Sequence, residues 1–222
     1  MQTDILLESA LFRGIEPGET NEMLQCLGAE HRKFKKNEHI FRTGDTVTEL
    51  GLVLTGSILI QNNDFWGNTT VLDHIIAGQI FAETYACTGE PLMVDAVAAE
   101  NTEALFLNVG RVLQTCPQAC VHHSKLIRNL LFLSARKNLN LSRKIFHTSS
   151  KSIRGRLLSY LSFQSTHCGS RSFTIPFNRQ QLADYLNVDR SALSNELSKM
   201  QKDGLLFVDR NHFELLCNHE ML

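Results

Sequence analysis

Apolar positions change rhythm several times along the 222-residue chain. In the first thirty residues they fall at helical spacing. In "NEMLQCLGAEHRKF" Met23, Leu24 and Leu27 share a side, and Gly28 supplies a stop. From Phe34 to about Leu107 the rhythm shortens. "EHIFRTGD", "LGLVLTGSILIQ", "NTTVLDHII" and "TEALFLNV" alternate or cluster β-favouring residues, with Gly44-Asp45, Gly56, Asn62-Asn63 and Gly78 as punctuation. Many short strands at close spacing predict a sandwich or a barrel. Trp66, in "NDFWGNTT", falls at the tip of one predicted hairpin.

The stretch "QACVHHSKLIRNLLFLSARKNLNLSRKIFH", residues 118–147, holds neither Gly nor Pro. Ile127, Leu131, Ser134, Asn138, Leu141 and Ile145 step by four, three, four, three and four, a heptad seam with polar residues at its middle. Asn138 stands at an a-position, where a buried Asn fixes register in a two-stranded coil. The pattern predicts a helix that pairs with its copy in a homodimer. A single helix lying across the β region is the alternative. Polar "HTSSKS", from His147 to Ser152, predicts a hinge. "IRGRLLSYLSFQSTHC" then predicts another helix, with Leu157, Leu158 and Leu161 on one side and Gly169 at its end.

"FNRQQLADYLNVDRSALSNELSKM" predicts a helix pair. Asn178 and Gln181 form a capping-box pattern, and Asp189 is a good cap for the second helix. Leu182, Tyr185 and Leu186 give the first helix an inner face, and Ala192, Leu193, Leu197 and Met200 do so for the second. The opposite face of the second helix shows Arg190, Ser191, Ser194, Asn195 and Ser198, and Glu196 stands on its flank. A solvated face is more often filled with Lys and Glu. Arg suits guanine O6 and N7, and Asn suits adenine N6 and N7, so this face fits base edges in a major groove. Spacing alone also fits a hairpin that only fills a core. Two β-rich runs flank "DRNH" immediately afterwards, and "SFTIPF" supplies a third strand, so the module is expected to be winged.

Charge adds a weak contrast. Residues 1–147 carry 13 Lys and Arg against 16 Asp and Glu, a net of −3, and residues 148–222 carry nine against seven, a net of +2. The sign suits a C-terminal nucleic-acid module. Hydrophobic content of 43% and charged content of 20% fit a soluble globular protein. No apolar run approaches the roughly 18 residues of a membrane helix. The first residues lack the basic and apolar regions of a secretory signal, so a cytoplasmic protein with no membrane partner is expected. Six cysteines, at 26, 87, 116, 120, 168 and 217, are scattered rather than framework-like.

On these residues the chain resembles the CRP/FNR family of bacterial transcription regulators, over nearly its whole length. "FKKNEHIFRTGDTVTELGLVLTGSILI" is similar to the family's K-G-E-x-I-F-x-x-G-D…V-x-x-G signature, with Asn37 in place of Gly. "RQQLADYLNVDRSALSNELSKMQKDGLL" is similar to its DNA-binding signature. The resemblance implies an α+β fold: an N-terminal cyclic-nucleotide-binding-like β jelly roll over residues 1–117, a dimerisation helix over 118–147, and a C-terminal winged helix-turn-helix over 148–222. It places the DNA-reading positions on Arg190, Ser191, Ser194 and Asn195, and Arg179 and Ser198 complete the expected DNA-binding set. Many members carry Glu and a second Arg where Ser191 and Asn195 stand, so a different operator is expected. The implied partners are double-stranded DNA with a near-palindromic operator, a second copy of the chain, and RNA polymerase.

For the sensor region, the resemblance aligns the family's phosphate-binding pairs with Ala82-Glu83 and with Met93-Val94, next to Asp95. No Arg occurs between Arg42 and Arg111, and phosphate recognition needs that guanidinium. A cyclic nucleotide is therefore not expected. An unknown, less charged small-molecule effector is expected among Glu83, Met93, Val94, Leu141 and Ser142, with Ser142 where the family's helix reaches the pocket. A β roll without effector is the alternative. A further alternative is metal or redox sensing through Cys116, Cys120 and His122, near His123. No cofactor or metal is assigned. The rival class is a non-DNA, ligand-binding regulatory subunit. An enzyme is not expected, for want of a nucleophile–base pair.

Overall fold

"LGLVLT" is continuously apolar because its strand is buried on both faces. The computed structural model describes residues 2–114 and 121–216. In it, β1 (Glu30–Phe34), β8 (Thr102–Asn108), β3 (Glu49–Thr55) and β6 (Ile80–Phe81) form one antiparallel sheet in that order. Successive side chains on a strand point to opposite faces. Leu50, Leu52 and Leu54 of β3, with Leu105 and Leu107 of β8, enter one core. There they meet Leu6 of α1 (Gln2–Glu8), Leu27 of α2 (Pro17–Leu27), and Leu11 and Phe12 between them. Val53, Ala104 and Phe106, one residue out of step, enter a second core.

The second sheet supplies the other side of that second core. Its order is β2 (His39–Phe41), β7 (Asp95–Ala98), β4 (Ser57–Asn63), β5 (Thr69–Ile76), all antiparallel. Ile58, Ile75 and Ala96 come from it. The two sheets thus make the expected sandwich. Phe106 meets Phe41 and Phe81 edge-on, with ring centroids 5.8 and 6.0 Å apart. Gly51 admits the Phe81 ring, since a Cβ there would lie 2.2 Å from it. Asn37 takes φ 67°, and Asn tolerates that left-handed turn, so the loss of the signature's Gly leaves the backbone path available.

After α3 (Glu83–Thr88) and α4 (Val109–Leu113), α5 runs from Val121 to Thr148 as 28 helical residues. Its first half is tied to the β region. Leu126 and Leu130 join the first core. Asn129 Nδ2 donates to the Leu11 and Arg13 carbonyls at 2.9 Å each, and Lys125 Nζ donates to that of Gly14 at 2.8 Å. The division into two units falls inside this helix, between Arg136 and Lys137.

The second unit holds α6 (Ile153–Cys168), β9 (Ser172–Thr174), α7 (Arg179–Leu186), α8 (Arg190–Lys202), β10 (Leu206–Asp209) and β11 (His212–Leu215). Its core joins Leu157 and Leu161 of α6, Leu182 and Leu186 of α7, Leu193, Leu197 and Met200 of α8, and Phe173 and Phe213 of the sheet. Leu158, expected beside Leu157, is 41% exposed. The sheet order β10-β11-β9 is that of a winged module.

The expected hinge is held rather than slack. Ser152 caps α6 by accepting from the Gly155 amide. Arg156 donates to the carbonyl of Ser150 at 2.8 Å, and to those of Leu186 and Asn187 at 3.0 and 2.9 Å. One guanidinium thereby binds the segment to the turn between α7 and α8.

His147, the last buried residue of α5, is 1% exposed. Its ring meets Phe146, Tyr160, Phe163 and Tyr185, and its Nδ1 lies 3.1 Å from Ser159 Oγ. Burial, and next the charge of Arg143, hold its pKa below the ordinary histidine value. Burial also pushes the Tyr160 phenol up to about 12, so both groups stay neutral at pH 7. A depressed histidine pKa means that its stabilising contribution is complete above about 6.5 and is lost as pH falls through the folded-state value. The melting temperature of wild-type protein is therefore expected to drop more between pH 7 and 5 than that of His147→Phe. Parallel curves would clear His147 of that role.

Candidate nucleic-acid interface and effector residues

α7 and α8 are placed by their caps. Asn178 accepts from the Gln181 amide at 2.9 Å, and Gln181 Oε1 accepts from the Asn178 amide at 2.9 Å. This reciprocal box is the one the sequence announces. Asn187 ends α7 at φ 53°. Asp189 caps α8 by accepting from the Ala192 amide at 2.9 Å. Its carboxyl also takes the Ser191 hydroxyl. That bond first, and the Ala192 amide next, hold it below the usual carboxylate range.

On α8, Leu193, Leu197 and Met200 are buried, whereas Arg190, Ser191, Asn195 and Ser198 are exposed and Ser194 is half-buried. The expected face is therefore outward, and the expected inner face is inward except for half-buried Ala192. The serine hydroxyls are committed locally. Ser194 donates to the Arg190 carbonyl and Ser198 to that of Ser194, each at 3.0 Å. Glu196 is drawn aside by α6. Arg154 donates to it at 2.6 Å and pairs with Asp203 at 2.8 Å. The carboxylate on the flank of the outward face is thus neutralised by a partner 42 positions away.

Arg179, at the start of α7, is half-buried with its guanidinium 5.5 Å from the Phe213 ring centroid. Burial lowers its pKa from the ordinary arginine value. Beside it the β10–β11 turn, Arg210-Asn211, is fixed by Asn211, whose side chain and carbonyl both bond Ile175, at 3.0 and 2.9 Å. Arg179, Arg190 and Arg210 line one recess. Sequence reading missed Arg210. The signal was its place inside "DRNH", at the tip of a hairpin already expected.

The seam residues divide. Leu131, Leu141 and Ile145 are 68%, 61% and 68% exposed. Asn138 is exposed as well, and Ile127 and Ser134 are half-buried. A second row, Phe132, Leu139 and Phe146, is also exposed and also steps by seven, and it was not expected.

The effector residues divide between the units. Glu83 is buried at the first position of α3, after Ala82 at φ 60°; Met93 is exposed and Val94 half-buried. Leu141 and Ser142 are exposed on the second unit's part of α5. Asp95 has a structural use of its own. It accepts from the Thr43 amide at 2.7 Å and from Asn63 Nδ2 at 2.8 Å. Burial pushes its carboxyl up, but those hydrogen bonds and nearby His39 outweigh burial and hold it below the ordinary value. Cys116, Cys120 and the His122 side chain lie outside the described residues. Among the described residues no group of three His, Cys, Asp or Glu side chains could hold a metal.

Two family models match the chain: the cyclic nucleotide-binding domain over residues 31–118, and the Crp-like helix-turn-helix domain over residues 155–222. Electron transport regulator A of Shewanella oneidensis is 22% identical over 214 residues, covering 90% of this chain and 81% of that protein. Transcriptional activator protein FnrA of Stutzerimonas stutzeri is 22% identical over 190 residues, covering 83% and 76%. The solved structure of Thermus thermophilus catabolite activator protein shares the fold, with a TM-score of 0.52 at 22% identity and 93% of each chain covered.

Proposed function

We propose that the chain is a DNA-binding transcription regulator of the CRP/FNR family, working as a homodimer that lays α8 of each subunit in a major groove of a near-palindromic operator. One observation carries this reading. α8 starts at a made cap and turns out Arg190, Ser191, Asn195 and Ser198, while Arg154 neutralises the acid beside them. Ser194 and Arg179 complete the proposed contact set. Selection of duplexes from a random pool tests it. The expected product is a near-palindrome with half-site centres about 34 Å apart. A pool with no enrichment would overturn the reading.

The proposed partition is a sensor over residues 1–117, a dimerisation helix over 118–147 and a DNA-binding module over 148–222. The dimer seam is Ile127, Leu131, Ser134, Asn138, Leu141 and Ile145, and its support is the exposed apolar stripe. The proposed effector is a small molecule less charged than a cyclic nucleotide, taken by Glu83, Met93, Val94, Leu141 and Ser142. Its support is the exposed Met93 and half-buried Val94 at the aligned second pair, in a sensor with no Arg between Arg42 and Arg111. Calorimetry against cAMP is expected to give no heat of binding at micromolar concentration, and tight binding would reverse this assignment. The protein is read as a regulator without catalytic activity, acting in the cytoplasm with RNA polymerase as a further partner. No helix among the described residues is long and apolar enough to cross a membrane.

A further inference from the structure

The end of α5 is fastened to the rest of the second unit around one imidazole. His147 stands in the last turn of α5 and packs against rings from α5 itself, α6 and α7. These are Phe146, Tyr160, Phe163 and Tyr185, with ring centroids 5.7, 5.6, 5.2 and 6.2 Å from its own. Tyr160 and Tyr185 reach on to Phe177, at 6.1 and 5.2 Å, just before the Asn178 cap of α7. A continuous run of rings thus ties the end of α5 to the start of the helix pair.

This cage suits a neutral ring. Ser159 Oγ, 3.1 Å from Nδ1, bonds it without charge. The charged and titratable groups around it are Arg143 of α5, Tyr160 of α6 with His167 beyond the Phe163 ring, and Tyr185 of α7. The sequence holds no Asp or Glu between Glu103 and Asp184, so α5 and α6 have none to offer. Asp184 of α7 is exposed and accepts from Gln180 Nε2 at 2.8 Å. A proton on His147 therefore meets the positive charge of Arg143 and no carboxylate. A buried cation without a partner is costly, and that cost is relieved when the ring reaches water.

We propose that His147 is an acid-released latch on the DNA-binding module. Neutral, it holds the last turn of α5 against α6 and α7. Protonated, it leaves the cage, frees that turn and loosens the helix pair that meets the operator. The latch stands on the packing of these helices. Its effect on DNA rests on the DNA-binding reading above and adds proton concentration as an input to it.

The test compares full-length wild type with His147→Phe and His147→Gln, neither of which titrates at this position. Amide hydrogen exchange at pH 7 and 5, corrected for intrinsic rates, reads the opening of the last turn of α5. Protection there is expected to fall by about tenfold in wild type between the two conditions, because opening takes up a proton. It should hold in both variants. Affinity for the selected operator, from anisotropy at the same two pH values, should fall more in wild type than in either variant. Equal changes of protection in wild type and variants overturn the latch. Should a variant fail to fold, titration of the wild-type ring by NMR decides. A midpoint below the ordinary histidine value is expected, and one at or above it overturns the latch. Opening without any extra loss of operator affinity overturns its role in DNA binding. Wild-type protein that binds no duplex at pH 7 instead overturns the DNA-binding reading, and the exchange result stands apart from it.

Discussion

Leu141→Asp combined with Ile145→Asp is expected to yield a monomer that no longer holds the full operator of the proposed dimer. Both side chains are largely exposed on the single chain, at 61% and 68%, and lie on the proposed seam that steps by heptads. Full burial of a Leu or Ile is worth about 1.5–3 kcal/mol, and in a two-fold pair each residue is buried twice. Losing four such side chains and adding four carboxylates outweighs any surface effect of the substitutions. Because neither position belongs to the buried cores, each unit should keep its helical signal and melting behaviour. Sedimentation at micromolar concentration should show a monomer, and affinity for the palindrome should fall to that of an isolated half-site. A variant that still sediments as a dimer would remove the seam from the account.

The second large effect is expected at Arg190. Replacement by Ala should cost about 1–3 kcal/mol, roughly 5- to 150-fold in affinity, and should relax the preference at one base pair of each half-site. The loss should be specific, because Arg190 is exposed on the outward face of α8 and makes no ion pair among the described residues. Selection with the variant, compared base by base with wild type, is the measurement. A uniform loss across all sequences would make Arg190 a backbone contact and would move the reading function to Asn195 and the serines.

Local chemistry made much of this fold legible. The Asn178–Gln181 box and the Asp189 cap act within three residues, and each is found where the sequence announces it. The wing is readable because a two-residue turn between β-rich runs leaves few alternatives, and Asp209 pairs with His212 across it. What stayed hidden was non-local. Arg154 reaches Glu196 across 42 positions, and Arg156 reaches Leu186 and Asn187 across 30 and 31, so nothing near "HTSSKS" reveals that the segment is pinned. The boundary between units inside α5 has no mark in composition, because a helix that changes neighbours keeps its periodicity. Phe132, Leu139 and Phe146 were legible in spacing alone, but an apolar residue that repeats every seven positions reads equally well as core.

If α8 reads the operator as proposed, its hydroxyls constrain which bases they can meet. Ser191 has given its hydrogen to Asp189, and Ser198 has given its own to the preceding turn. What remains on each oxygen is the capacity to receive. The amino groups of adenine and cytosine meet that need, whereas the keto oxygens of guanine and thymine would oppose lone pair to lone pair.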